Sequence, residues 1–245
     1  TAIFIKSDDH LFKVKREVEK MSKSKYNVVS PDSICSQYGA DSLRLYEMFL
    51  GPLEQYKPWN TAGITGVHSF LKKLWKLYVG NHGIVVDDSQ PSKDQSKILH
   101  KTIKKVTKDI ENFSFNTSVS TFMIAVNELA AKKCRSKNIL EPLLILIAPY
   151  APHISEELWE RLGNKNSIST AEFPEFDPSY LVETSKSYPI SFNGKMRFTI
   201  DLPLDLSREA IEEAVMANKN TQLQLQGRIP KKIIVVPGKI VNIVG

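Results

Sequence analysis

From Ile64 to about Arg161 the apolar residues of this chain recur every three or four positions, whereas beyond Thr184 they recur every second position. No single element type satisfies both periods, so the chain must join a helical body to a smaller sheet-bearing one. In the first helical pattern Ile64, Val67, Leu71, Leu74 and Tyr78 fall on one stripe, with Lys72, Lys73 and Lys76 elsewhere on the cylinder. The second, Ser96 to Phe113, is expected to turn Ile98, Thr102, Val106, Ile110 and Phe113 inward and Lys97, Lys101, Lys104, Lys105 and Lys108 outward. Phe115 to Lys133 forms the third. The fourth breaks at Pro149-Tyr150-Ala151-Pro152, because proline lacks the N–H donor and clashes with the preceding turn. Two shorter helices precede these, one opening at Pro31 behind Ser30 and closing at Gly39, the next running from about Asp41 to Gly51-Pro52. With only 11 glycines in 245 residues, the composition agrees with a mainly α chain built as an antiparallel helical bundle.

The alternating segment reads as two hairpins around a helix. Tyr188, Ile190 and Phe192 share one strand face, Asn193-Gly194 is a type I′ turn, and Met196, Phe198 and Ile200 are expected to answer from the returning strand. Ser207 caps a helix with Leu206 and Ile211 as its hydrophobic staple, and Lys231–Val236 and Lys239–Val244 turn at Pro237-Gly238. The expected module is a small ββαββ, α/β domain at residues 185–245, after a linker at 167–184. The helical domain is expected at 60–166. Residues 1–59 come before it, with strand-like pieces Ile3–Ile5 and Leu11–Val14 that have nothing ahead of them to pair with. Thr1 in place of a starting Met adds to the expectation of a piece of a longer protein.

Several classes of function are disfavoured. Cys35 and Cys134 form no Cys-x-x-Cys pair and have no His at ligand spacing, and His10, His68, His82, His100 and His153 are scattered, so neither a disulfide scaffold nor a metal site is expected. Such cysteine usage suits a reducing, cytoplasmic compartment. The longest apolar stretch, Leu140 to Ala151, is too short for a membrane span. A formal net charge of +6 favours polyanionic partners.

The most specific string is Lys20-Met21-Ser22-Lys23-Ser24. Read bare, it is a cationic loop that a phosphate could use, or simply a solvated one. It resembles the KMSKS loop of class I aminoacyl-tRNA synthetases. The residues beyond the loop are similar to those of bacterial-type leucyl-tRNA synthetases: Asn27 and Pro31, Tyr38-Gly39-Ala40-Asp41-Ser42-Leu43-Arg44-Leu45, Phe70-Leu71-Lys72-Lys73-Leu74-Trp75, Phe115-Asn116-Thr117, Pro152-His153-Ile154, Asn193-Gly194-Lys195-Met196-Arg197 and Val235-Val236-Pro237-Gly238-Lys239. The resemblance covers essentially the whole chain, and neither the coiled coil of valyl enzymes nor the zinc module of isoleucyl enzymes ends it. It implies that residues 1–59 are the end of a catalytic core, that the bundle is anticodon-binding-like, and that the complete protein, a monomer, joins leucine to tRNA(Leu) with ATP and its Mg2+. Lys20 and Lys23 would then be catalytic, and Lys20 to Ser24 would form an ATP-binding lid over the departing pyrophosphate. The family's second signature, His-Ile-Gly-His, is absent. Its only echo, His153-Ile154-Ser155, reads as structural, and the chain by itself is expected to be inactive.

Binding could also use the basic surfaces. Lys97, Lys101, Lys104 and Lys108 follow one another at four, three and four residues, one face of a helix suited to a phosphate track. Lys195 and Arg197 point outward by hairpin alternation, with Arg228, Lys231, Lys232 and Lys239 expected nearby, and the resemblance implies tRNA contact for this group. A stand-alone RNA-binding module and a protein-docking scaffold remain the alternatives from other classes.

Overall fold

The computed structural model describes residues 17–182 and 185–245, so the strand-like pieces at Ile3–Ile5 and Leu11–Val14 lie outside the described residues. The chain divides into two compact units at Tyr180/Leu181.

The first unit carries α1 (Pro31–Tyr38), α2 (Ala40–Phe49), α3 (Ile64–Tyr78), α4 (Lys93–Glu111), α5 (Phe115–Ala131), α6 (Lys137–Ile147) and α7 (Pro152–Arg161). The α3 stripe is the one its period dictates: Ile64, Val67, Leu71, Leu74 and Tyr78 are all buried. These side chains enter one core that runs from Ile34 to Ile168, each contributing on the order of 1.5–3 kcal/mol by leaving water. At its centre the Tyr78 hydroxyl donates to the Leu140 carbonyl at 2.7 Å. Ser92 and Gln95 close a reciprocal capping box at the start of α4. A two-stranded ribbon, β1 (Val79–Gly80) with β2 (Gly83–Ile84), comes after α3; its strands are too short for an alternating pattern to announce them.

Phe113 departs from its expected inward place and is 65% exposed. The helix ends at Glu111, and Phe113 sits beyond it with φ 54, where its N–H reaches Ile110 and that of Ser114 reaches Asp109. Helical periodicity has already stopped at that residue, so its side chain leaves the stripe.

The second unit places β3 (Ser185–Phe192), β4 (Lys195–Pro203), α8 (Arg208–Ala217), α9 (Lys219–Leu225), β5 (Lys232–Val236) and β6 (Ile240–Val244) in a sheet of order β4-β3-β6-β5. The two antiparallel hairpins are joined by a parallel β3–β6 pairing. Tyr188, Ile190, Val241 and Ile243 pack with Ile211 and Val215 of α8 and Leu225 of α9. The unit is therefore ββααββ, one helix more than the expected ββαββ. Asn218 creates the extra helix: its extended backbone stops α8, and its side chain accepts the Asn220 N–H at 2.9 Å to cap α9. Asn193 (φ 49) and Gly194 (φ 81) supply the two positive φ angles of a I′ turn. Met196 does not point inward; it is 57% exposed. The register shifts after Ile190, so that Ile190 opposes Phe198 while Ser191 opposes Met196, and Arg197 is the extra residue of a bulge.

Candidate functional site

Lys20–Ser24 passes from an irregular approach into a single 3₁₀ turn, Lys23–Lys25. Asn27 ties it down. Its Oδ1 accepts the Ser22 N–H at 2.8 Å and its Nδ2 donates to the Lys20 carbonyl at 3.4 Å. The Ser22 and Ser24 hydroxyls share a hydrogen bond of 2.8 Å, and the turn closes on Tyr26, whose φ of 52 is unusual for a bulky residue. Lys25 is engaged by Glu19 at 2.7 Å. Lys20 and Lys23 meet no carboxylate at ion-pair distance among the described residues, and both are exposed. An open groove of about 540 Å³ separates the loop from Pro58 and Trp59, with Met21 and Asn27 on the loop side. The arrangement is a backbone-pinned turn that leaves two ammonium groups uncommitted, which suits it to meeting negative charge on a polyphosphate. The sequence offers Asn27 only as one residue of a resemblance; its clamp depends on a fold-back that no periodicity reveals.

The α4 lysines are in part already occupied. Lys105 pairs with Asp109 and donates to Thr117 at 3.3 Å, and Lys104 lies over the Phe176 ring at 5.3 Å from its centroid. Lys97 is half-buried beside Asp94, which also holds Lys132 at 2.6 Å. Lys101 and Lys108 remain exposed on the rim of an apolar groove between α4 and α5. The segment that carries Phe176 is pinned to α4 by His100, whose Nδ1 accepts the Asp177 N–H at 3.1 Å and whose ring stacks on Tyr180 at 4.2 Å. Burial pushes the His100 pKa down, against a smaller upward pull from the Asp177 carboxylate.

In the second unit all six cations are exposed but do not form one cluster. Lys195, Lys231 and Lys232 sit at the end of the sheet that holds the Asn193-Gly194 turn: Lys195 pairs with Phe192, Phe192 with Ile243, and Lys232 with Val244, whose carbonyl accepts the Lys231 N–H at 2.8 Å. Arg228 leads into that end and Arg197 occupies the bulge. Lys239 belongs to the opposite end, next to Gly238, whose N–H donates to the Tyr188 hydroxyl at 2.8 Å. It does not join the others because the β5–β6 turn points away from the β3–β4 turn.

Among the described residues no group of three or more His, Cys, Asp or Glu could hold a metal ion, and no helix is long and apolar enough to cross a membrane. His153 is a partner of Asp41 rather than a member of any ligand set.

The family described as the anticodon-binding domain of tRNA ligase matches residues 95–212, and that of class I tRNA synthetases (I, L, M and V) matches residues 10–56. A leucine–tRNA ligase of Christiangramia forsetii is 70% identical across 98% of this chain, which spans 25% of that protein. That of Flavobacterium johnsoniae is 67% identical across 100% of the chain, which spans 26% of it. The chain thus spans about a quarter of the length of the curated relatives it matches. A solved ternary complex of a LeuRS with tRNA and LeuAMS, from Agrobacterium radiobacter, aligns with TM-score 0.62 and 29% identity over 92% of this chain and 30% of its own.

Proposed function

We propose, since the chain belongs to the leucine–tRNA ligase family of class I synthetases, that it contributes the lysine loop and the tRNA-binding surfaces to ATP-dependent joining of leucine to tRNA(Leu). In that reaction the leucine carboxylate attacks the α-phosphate of ATP, leucyl-adenylate forms, pyrophosphate departs, and the leucyl group then passes to the tRNA. Negative charge grows on the departing oxygens. Lys20 and Lys23 are the residues of this chain that meet it, while Ser22 and Ser24 allow the backbone to approach closely and Met21 completes the ATP-binding loop. Mg2+ carried by ATP would supply further charge neutralisation at the phosphates.

The observation that carries this reading is the uncommitted state of Lys20 and Lys23 on a turn that Asn27 already fixes. A merely solvated loop needs no side-chain clamp across its backbone. Residues 1–59 belong, in this reading, to the catalytic body, 60–166 to an anticodon-binding-like body, and 185–245 to a second tRNA-binding module beyond the 167–184 linker. Lys97, Lys101, Lys104 and Lys108, with Lys195, Arg197, Arg228, Lys231, Lys232 and Lys239, are the tRNA-facing cations. The protein works as a cytoplasmic monomer. In the complete ligase, Lys23→Ala should slow adenylate formation, measured by pyrophosphate exchange, by on the order of a hundredfold or more with tRNA binding nearly unchanged. Equal loss of both would make the loop a structural element.

A further inference from the structure

Resting on the reading that Lys20 and Lys23 meet the departing pyrophosphate, we propose that Arg44 and Asp41 of α2 are positioning residues for the lysine loop. They key α2 into the break between α6 and α7, and α2 in turn fixes both the loop and the wall that faces it. The break at 149–152 interrupts the helical ladder, so its polar groups take partners from outside their own helices. Asp41 receives the donors: its carboxylate accepts the His153 and Ile154 N–H groups. Arg44 serves the acceptor, its Nη2 donating to the Pro149 carbonyl at 2.9 Å. Between them the Ser42 hydroxyl donates to the Tyr38 carbonyl at 2.7 Å and meets His68 Nδ1 of α3 at 3.1 Å. Four consecutive residues thus hold three directional ties. The apolar burial of Leu45 and Tyr46 just beyond has no such direction.

The loop follows wherever α2 is held. A single residue, Gly39, joins α1 to α2 and belongs to both ladders: its N–H donates to the Cys35 carbonyl at 2.9 Å, and its carbonyl accepts the Leu43 N–H at 3.3 Å. The two helices therefore turn as one piece, with Ile34 of α1 buried in the same core as Leu45. The loop hangs from the start of α1 by residues 27–30, of which Val29 packs on that core. Tyr46 holds the facing wall. Its hydroxyl donates to the Asn60 carbonyl, and its ring meets that of Trp59 edge-on at 5.3 Å. Trp59 lines the groove whose other side carries Met21 and Asn27. A shift of α2 against α7 therefore displaces the two ammonium groups, and a misplacement of about 1 Å can cost on the order of a hundredfold in rate.

Stability alone does not call for Arg44. Both it and Pro149 are exposed, and a hydrogen bond that water can replace contributes little to folding. Its value lies in direction, since it fixes one helix end against another where apolar packing alone permits sliding.

The test is pyrophosphate exchange by the complete ligase. Arg44→Gln should lower kcat about tenfold, with the KM for ATP and the affinity for tRNA within about threefold and the melting midpoint within about 2 °C. Asp41→Asn, which gives up one of the two carboxylate oxygens, should act in the same direction. Arg44→Lys keeps a donor and should recover most of the rate. In a Lys23→Ala background the Arg44→Gln change should cost less than about threefold, because it acts through a group already removed. An undiminished loss in that background would overturn the assignment. Arg161→Gln, which removes a comparably exposed pair with Glu157 on α7, should leave exchange unchanged; an equal loss there would also overturn it, since any disturbance of the bundle would then suffice. Normal exchange by Arg44→Gln beside slow exchange by Lys23→Ala overturns this inference alone. Normal exchange by Lys23→Ala overturns it together with the reading of the loop.

Discussion

The carboxylate of Asp41 on α2 caps the first turn of α7, 112 residues further along the chain: Oδ1 accepts the His153 N–H at 3.2 Å and lies 2.8 Å from His153 Nδ1, and Oδ2 accepts the Ile154 N–H at 2.7 Å. The need is local. Ala151 stands at the N-cap with no side chain to offer, and Pro152 has no N–H, so His153 and Ile154 present the first donors without intrahelical partners. Asp41 supplies them from another helix, and its side chain is only 9% exposed. Asp41→Ala should therefore destabilise the first unit by about 2 kcal/mol, with Asp41→Asn losing less because one acceptor remains. Denaturant unfolding followed by tryptophan fluorescence measures this, and an unchanged midpoint for the alanine variant would refute it.

Asn27 should govern the order of the lysine loop. In Asn27→Ala the Ser22 amide loses its acceptor, and its hydrogen-exchange protection should fall about fivefold or more, the equivalent of a bond worth about 1 kcal/mol. Asn27→Asp keeps the oxygen that receives the Ser22 N–H and should preserve that protection. Equal exchange in both variants would mean that the clamp does not hold the turn.

His100 predicts a pH dependence of defined sign. Its neutral Nδ1 accepts from Asp177, its ring faces Tyr180 and Phe176, Lys104 lies over Phe176, and burial lowers its pKa in the folded state. The unfolded chain then binds the proton more readily. The contribution is complete above the unfolded value near 6.5 and is lost as pH falls below it toward the folded pKa. The His100 ring resonances should titrate with a midpoint below about 6.5, and the His100→Gln chain should lose this component of the slope between stability and pH.

These contacts show why some features are legible in the sequence and others are not. The α3 stripe is visible because every inward residue lies within 15 consecutive positions and answers to one period. The Asn193-Gly194 turn is visible because two adjacent residue types favour the φ angles it needs. Helix α9 is not, since only Thr221 and Leu225 of its 7 residues enter the core, too few for a stripe. The outward side chain of Met196 depends on a register shift in the paired strand, and the ring under the Lys104 ammonium is that of Phe176, far along the chain. In the lysine loop the charges can be read directly, whereas the pairing of Lys25 with Glu19 and the clamp from Asn27 require the chain to turn back on itself.

Lys133 sets stability against charge. Replacing it by glycine relieves a left-handed backbone that a Cβ disfavours, and Lys133→Gly should stabilise the first unit by about 0.5–1 kcal/mol, part of the relief being offset by the greater freedom of glycine in the unfolded chain. Thermal unfolding checks this. A lower melting temperature would show that the lysine side chain contributes more through its packing than its backbone gives up.

In the second unit the fourth strand in chain order is not at the margin of the sheet. β6 lies between β3 and β5, and its residues Val241–Ile243 run alongside Ile190–Phe192. During synthesis the β3–β4 hairpin can close as soon as it emerges, but the seam that joins it to the rest must wait until Val244 has been added. Until then the inner edge of β3 stays open to any passing strand, so the central join of this module is among the last contacts it can make.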